Sequence, residues 1–180
     1  WPNTTLYTTL SSTYSLTNYK NTVNYKMYLG TSNKYNSYVL ADYYDMERML
    51  NSKGMAGATS KASYSSETKF TGSVGLMYPS DYGYAVLASD CARTIKPLNY
   101  HETTTCYDNN WLYHRTSDFQ LLITPIALAA NLVSDVSTKG YVTLYGDFVT
   151  DSGLVAPVMA LSATIVVTGS GTQSDPYVMQ

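Results

Sequence analysis

The chain has 180 residues, a net charge of −2 and only 13% charged residues, alongside nineteen tyrosines. That length fits one domain with a real core. The slight acidity argues against a nucleic-acid partner, because phosphate recognition needs a basic face, and the scattered Lys and Arg residues form no membrane-surface patch. Tyrosine in place of charge suits an exposed binding face, and it equally suits subunit contacts in a fibre.

In chain order, Leu6, Leu10, Tyr14 and Leu16 are loosely helical in spacing, and Asn3 or Thr4 supplies a cap. Tyr19, Val23 and Met27 recur every four residues, which predicts a second helix starting at Thr17 or Asn18 and closed by Gly30. Thr31 to Ser37 reads as a turn region. Asp42 to Met49 is the clearest helix: acidic residues open it, Arg48 and Lys53 follow, and Gly54 ends it. Tyr43, Met46 and Leu50 form its apolar stripe, and Asp45, Glu47 and Arg48 read as exposed helix charges. Met55 to Lys69 is a small, polar loop.

The stretch from Phe70 to Trp111 organises the rest. Val74, Leu76 and Tyr78 alternate with Ser73, Gly75 and Met77, the period of a half-buried strand. Pro79-Ser80-Asp81 should stop it. Tyr82 to Leu87 should resume extended or packed structure, with Gly83 marking a bulge or a close backbone approach. The tyrosines read as core and rim; a ligand-stacking platform is the alternative. Cys91 and Cys106, the only cysteines, lie fifteen positions apart, without the Cys-x-x-Cys pair or clustered histidines of a zinc site. Two free buried thiols are one reading. A disulfide is favoured by a chain poor in charge and rich in Tyr, Thr, Ser and Asn, and would contribute roughly 3 kcal/mol.

Asp108-Asn109-Asn110 is a turn by its chemistry, with Trp111 and Tyr113 on one face of a strand after it. The three turn residues are hard oxygen donors, but no Asp-x-Asp-x-Asp-Gly pattern accompanies them and no metal is expected. Phe119 to Thr124 is a buried strand halted by Pro125, and Ile126 to Val136 is ambiguous between strand and helix. Lys139-Gly140 is a turn. Tyr141, Thr143 and Tyr145 alternate as a strand, Gly146 to Gly153 is an acidic loop, and Ile165-Val166-Val167 is a further buried strand. The tail from Gly169 to Val178 should end on Tyr177 as a docking aromatic.

The segments L-Y-x-x-L-S-S-T-Y, A-D-Y-Y-D-M-E-R, G-S-V-G-L-M-Y-P-S-D-Y-G-Y-A, C-Y-D-N-N-W-L-Y, I-T-P, V-A-P-V-M-A-L-S and G-S-G-T-Q-S-D-P-Y-V span Leu6 to Val178. In order and spacing they resemble surface domains of gut-type bacteria that sit behind a prepilin-like or signal-type N-terminal helix. In their C-terminal half those domains are similar to the C-type-lectin-like fold of formylglycine-generating-enzyme relatives. The chain departs at Leu121 to Pro125, where the pattern reads W-T-x-T-P, and at Val155 to Val158, where it reads V-R-P-V. The resemblance implies an exported α+β domain of short helices on twisted antiparallel strands, with a Cys91–Cys106 bridge. It does not imply catalysis, since the cysteine spacing is not that of the enzymes.

No G-x-S-x-G, H-E-x-x-H, P-loop or G-x-G-x-x-G motif occurs, and the two histidines, His101 and His114, sit apart in polar surroundings. We therefore expect a non-catalytic extracellular or cell-surface protein without cofactor or metal. One single domain is expected, mainly helical and loop over 1–69 and β-rich over 70–180. The first functional expectation is a pilin-like or fibre-forming subunit that self-associates. The second is a monomeric adhesin or diversified binder of host or cell-surface protein or glycan. Its candidate ligand residues are Asp108, Asn109, Asn110, His114, Asp118, Tyr145, Asp147 and Asp151. The chain begins at Trp1 with no signal peptide and no run of eighteen apolar residues, so a processed or trimmed product is expected, with any membrane attachment through an anchor lost upstream.

Overall fold

Thr4 opens the first helix as anticipated: its Oγ1 accepts from the Tyr7 N–H at 3.1 Å, and α1 runs Thr5–Thr13 with Leu10 buried. The computed structural model describes residues 3–14, 22–28, 40–48, 69–87, 89, 91, 104–114, 117–125, 131–143, 146–171 and 174–179. Gly30, the 31–37 turn, the 55–68 part of the predicted loop, Leu50, His101 and Tyr145 lie outside these residues.

The predicted second helix is instead two strands, β1 (Thr22–Val23) and β2 (Tyr25–Tyr28). Its every-fourth-residue spacing competed with a shorter alternation, in which Met27 is 1% exposed and Lys26 points outward. β-Branched and aromatic residues tip such a tie towards a pleated strand once a partner is present. That partner is β3 (Lys69–Gly72), antiparallel in the register Tyr25↔Gly72 and Met27↔Phe70. Helix α2 spans Leu40–Glu47, matching the clearest sequence prediction, with Tyr43 buried.

The central stretch differs from its expected form. Strand β4 is only Gly75–Leu76, and Pro79 begins a helix, α3 (Pro79–Tyr84), rather than ending structure. Proline at the first helical position lacks only a donor that would have had no helical partner. The Asp81 carboxylate, two residues on, accepts the Tyr78 N–H at 3.0 Å. The expected half-buried strand is buried on both faces. Val74, Leu76 and Tyr78 enter one apolar cluster with Leu10, Met27, Leu121 and Ile123. Met77 enters another, with Leu40, Tyr43, Tyr82, Val86, Leu122 and both cysteines. The alternation separates two cores, not core from solvent. The close approach expected at Gly83 is present: an added Cβ would collide with the Leu40 side chain, meeting its Cδ1 at 2.8 Å.

Cys91 and Cys106 form a disulfide with Cα atoms 5.1 Å apart. It ties the chain after α3 to a short helix, α4 (Thr104–Asp108). Among the described residues the largest sheet has four strands in the order β7 (Asp147–Phe148), β6 (Leu132–Val136), β5 (Gln120–Pro125), β8 (Leu154–Val155). Its pairs are antiparallel except β5 with β8. The ambiguous 126–136 run thus ends as a strand. The expected 141–145 strand shortens to a bridge, Val136↔Val142, among the described residues. Gly140, at φ 79°, makes the predicted turn, and its carbonyl accepts from Tyr82 Oη at 2.7 Å.

Two short pairs join the N-terminal part to the C-terminal third: β4 with β9 (Pro157–Val158) and β1 with β10 (Ala160–Leu161), both antiparallel. The expected buried strand at 165–167 is exposed. Only Val167–Thr168 forms β11, pairing with β12 (Val178–Met179) as a two-stranded ribbon. Val166 and Tyr177 are 60% and 64% exposed, so Tyr177 does not dock as expected. The protein is a mixed α/β fold with few helices, several antiparallel sheets and one disulfide.

Candidate functional site

The side chains of α2 and α3 meet in a polar cluster that the sequence disguised as surface charge. Helical spacing puts Tyr43 and Glu47 four residues apart, on one side of α2, and the structure buries both. Glu47 is 0% exposed, not a solvated helix charge as expected. The Ser80 hydroxyl donates to Glu47 Oε2, and the Ser80 N–H, near the start of α3, reaches Oε1 at 3.3 Å. Burial pushes the Glu47 carboxyl up to about 8, against the opposing pull of Ser80 and Arg48. It is therefore mostly neutral at pH 7.

Arg48, the next residue, turns outward. It donates to Ser80 Oγ at 3.0 Å and to Asp81 Oδ1 at 2.5 Å. Its guanidinium lies 4.1 Å from the Tyr44 ring centroid and 4.8 Å from that of Tyr78. Tyr84 meets Tyr44 edge to face, with ring centroids 6.3 Å apart. Aromatic rings and one clamped cation thus form a continuous wall.

That wall borders an open cleft of about 750 Å³, within the size range of small-ligand sites. Tyr25 and Lys26 of β2, Leu76 and Met77, and Val158 to Ala160 also line it. The Tyr25 hydroxyl, held to the Val158 carbonyl at 3.3 Å, is kept protonated by burial and by nearby Tyr78 and Asp81. Trp111 closes the rim. Its backbone N–H donates to the Ala85 carbonyl at 3.2 Å, at the end of α3, while its side chain is 78% exposed. The Trp111–Tyr113 segment, expected as a strand, is a turn, with the Tyr113 N–H bonded to the Asn110 carbonyl at 3.2 Å.

The residues singled out from the sequence fall in different places. Asp108, the last residue of α4, and Asn109, on the turn after it, are exposed, and His114 and Asp118 are exposed further on. Asn110 is buried and its amide is committed to the fold: Nδ2 donates to the Tyr82 carbonyl at 2.8 Å and Oδ1 accepts the Leu112 N–H at 3.0 Å. That bond pair holds the Trp111 rim. Asp147 lies half-buried on β7 and Asp151 on the turn beyond; burial, then the neighbouring Asp151 charge, raises the Asp147 carboxyl. Beside them is a residue the sequence did not single out, Asp135. It is 1% exposed, hydrogen-bonded by the Thr143 hydroxyl, and raised to about 7, chiefly by burial. Among the described residues no three His, Cys, Asp or Glu side chains converge as a metal site.

Sequence reasoning missed the cleft because its parts come from five separated segments. The available signal was the pairing of Y-Y-D-M-E-R with P-S-D-Y-G-Y, two helices each carrying tyrosines beside an ionisable residue. Comparison with known proteins finds no matching family model, no similar curated protein and no similar solved structure. Among the described residues no helix is long and apolar enough to cross a membrane.

Proposed function

We propose that this chain is a non-catalytic extracellular or cell-surface binding domain, built on a C-type-lectin-like variant of the mixed α/β plan, that takes glycan into the tyrosine- and tryptophan-lined cleft. The carrying observation is that the exposed Trp111 and the Tyr44–Tyr84 pair line one cavity of about 750 Å³. A sugar ring presents a C–H face and a rim of hydroxyls. Tyr and Trp match it, with broad apolar rings that keep a polar tip and lose little entropy when they are held. The disulfide is compatible with the extracellular placement. The non-catalytic reading draws support from the burial of Ser80 and Glu47, both 0% exposed and so out of reach of a substrate in the cleft.

A glycan-array screen of the full chain beside Trp111→Ala tests this. Binding that is lost or weakened at least tenfold in the variant supports the cleft. Binding unchanged by the substitution places recognition elsewhere, for instance at the 108–118 or 146–153 loops.

A pilin-like or fibre-forming subunit is the second reading. It is favoured by Val166, Val167, Tyr177, Val178 and Met179, all exposed, in a segment from Ala156 to the end whose only charged residue is Asp175. Electron microscopy and sedimentation of the protein separate the two: filaments repeating this chain favour the subunit, and a monomer at high concentration opposes it.

A further inference from the structure

We infer that the glycan taken by the cleft carries a carboxylate, as a hexuronic acid does, and that Lys26 is the cation that selects it; this rests on the binding reading given above. The charged side chains among the described lining residues are Lys26, Arg48 and Asp81. Arg48 and Asp81 pair with each other at 2.5 Å, and the guanidinium is further held between the Tyr44 and Tyr78 rings. Arg48 is a fixed part of the wall, its charge largely answered. Lys26 is exposed, sits on β2 at the register position of Thr71, and has no ion-pair partner among the described residues.

The cleft therefore holds one positive charge in excess, within a chain whose net charge is −2. Glu47, behind Arg48, does not cancel it, because the buried carboxyl is mostly protonated at neutral pH. A cation on the lining of a cleft that also presents aromatic side chains fits a ligand that is amphipathic over its ring and anionic at one edge. A neutral sugar would satisfy the rings and leave the ammonium to water. Lys on a strand supplies a point charge on a flexible stem, which suits one carboxylate at the rim. The ring faces of Trp111, Tyr44 and Tyr84 supply affinity common to charged and neutral sugars, so discrimination falls to Lys26.

The test uses trigalacturonate and its fully methyl-esterified form, which share their rings and differ in charge. Titration of the full chain is followed by calorimetry at low salt and at 0.5 M NaCl. The acid should bind about fivefold more tightly than the ester at low salt, with the preference screened at high salt. Lys26→Gln should bring acid and ester to equal affinity at low salt, and Trp111→Ala should weaken both ligands alike. Equal affinity for acid and ester, or a preference that survives Lys26→Gln, overturns the carboxylate inference while leaving the glycan reading in place. Binding of neither form, together with a blank array of neutral and acidic glycans, overturns both.

Discussion

The stretch 72–86 and the segment 160–179 have similar apolar character but opposite fates. From Gly72 to Ser80 every residue is buried, and Tyr82, Gly83, Ala85 and Val86 continue that burial. Between Ala160 and Met179 no described residue is buried, although Leu161, Ile165, Val166, Val167, Tyr177, Val178 and Met179 all fall there. The first is covered from both sides, by the Leu10–Met27–Ile123 cluster and by the Leu40–Tyr43–Leu122 cluster. The second ends in a ribbon of two residues per strand, too small to make a core of its own. Burial is a property of what stands opposite a residue, and hydropathy along the chain does not report it.

The sharpest way to test the buried region is through pH. Glu47 rises from an ordinary value of 4.5 to about 8 and Asp135 from 3.8 to about 7. Between those limits these two groups hold more protons in the folded chain than in the unfolded one, so their contribution to stability is full below about pH 4, falls as pH rises, and levels off above about pH 8. For Glu47 the change is on the order of 5 kcal/mol. Urea unfolding at pH 5 and pH 8 should show the lower midpoint at pH 8, and Glu47→Gln should flatten the profile. A profile that rises over this range would mean that these carboxyls are not buried as neutral acids.

Next in size is Tyr82→Ala, which removes a fully buried ring and its bond to the Gly140 carbonyl. A loss of roughly 3–5 kcal/mol is expected in equilibrium unfolding. Replacing both Cys91 and Cys106 by Ser should cost about 3 kcal/mol, since the bridge closes a loop of fifteen positions. It should read as a matching drop when the native protein is unfolded under reducing conditions. At the small end, Val166→Ser or Val178→Thr should change stability by no more than about 0.5 kcal/mol. A loss near that of Tyr82→Ala would show that the ribbon is covered in solution, as the fibre reading requires.

Local signals in the sequence survived where the chemistry itself is local. The Thr4 cap, the 40–47 helix, the Asn109 turn, the Gly140 turn and the strand buried over 120–124 are each set by residues within a few positions of one another. The 22–28 segment failed for the opposite reason: its two periodicities were equally readable, and Phe70 to Gly72, more than forty positions away, decided between them. At the candidate site the same division holds. Tyr44, Arg48, Tyr84 and Trp111 were visible as residues, but the cleft exists only because α2 packs on α3 and the 111–112 turn is tied to Ala85. Asn110, expected to face a ligand, is instead the internal tie that presents Trp111.

By itself the sequence determined a mixed α/β chain with few charges, many tyrosines and two cysteines at a spacing that a single bridge can close, because composition and short-range backbone chemistry need no partner. Tertiary structure decided which face of each element meets solvent. It turned Glu47 from a surface charge into a buried neutral acid, left Val166 and Tyr177 exposed, and gathered five segments into one cleft. Each of those outcomes depends on a neighbour brought from far along the chain, and no local pattern encodes that neighbour's position.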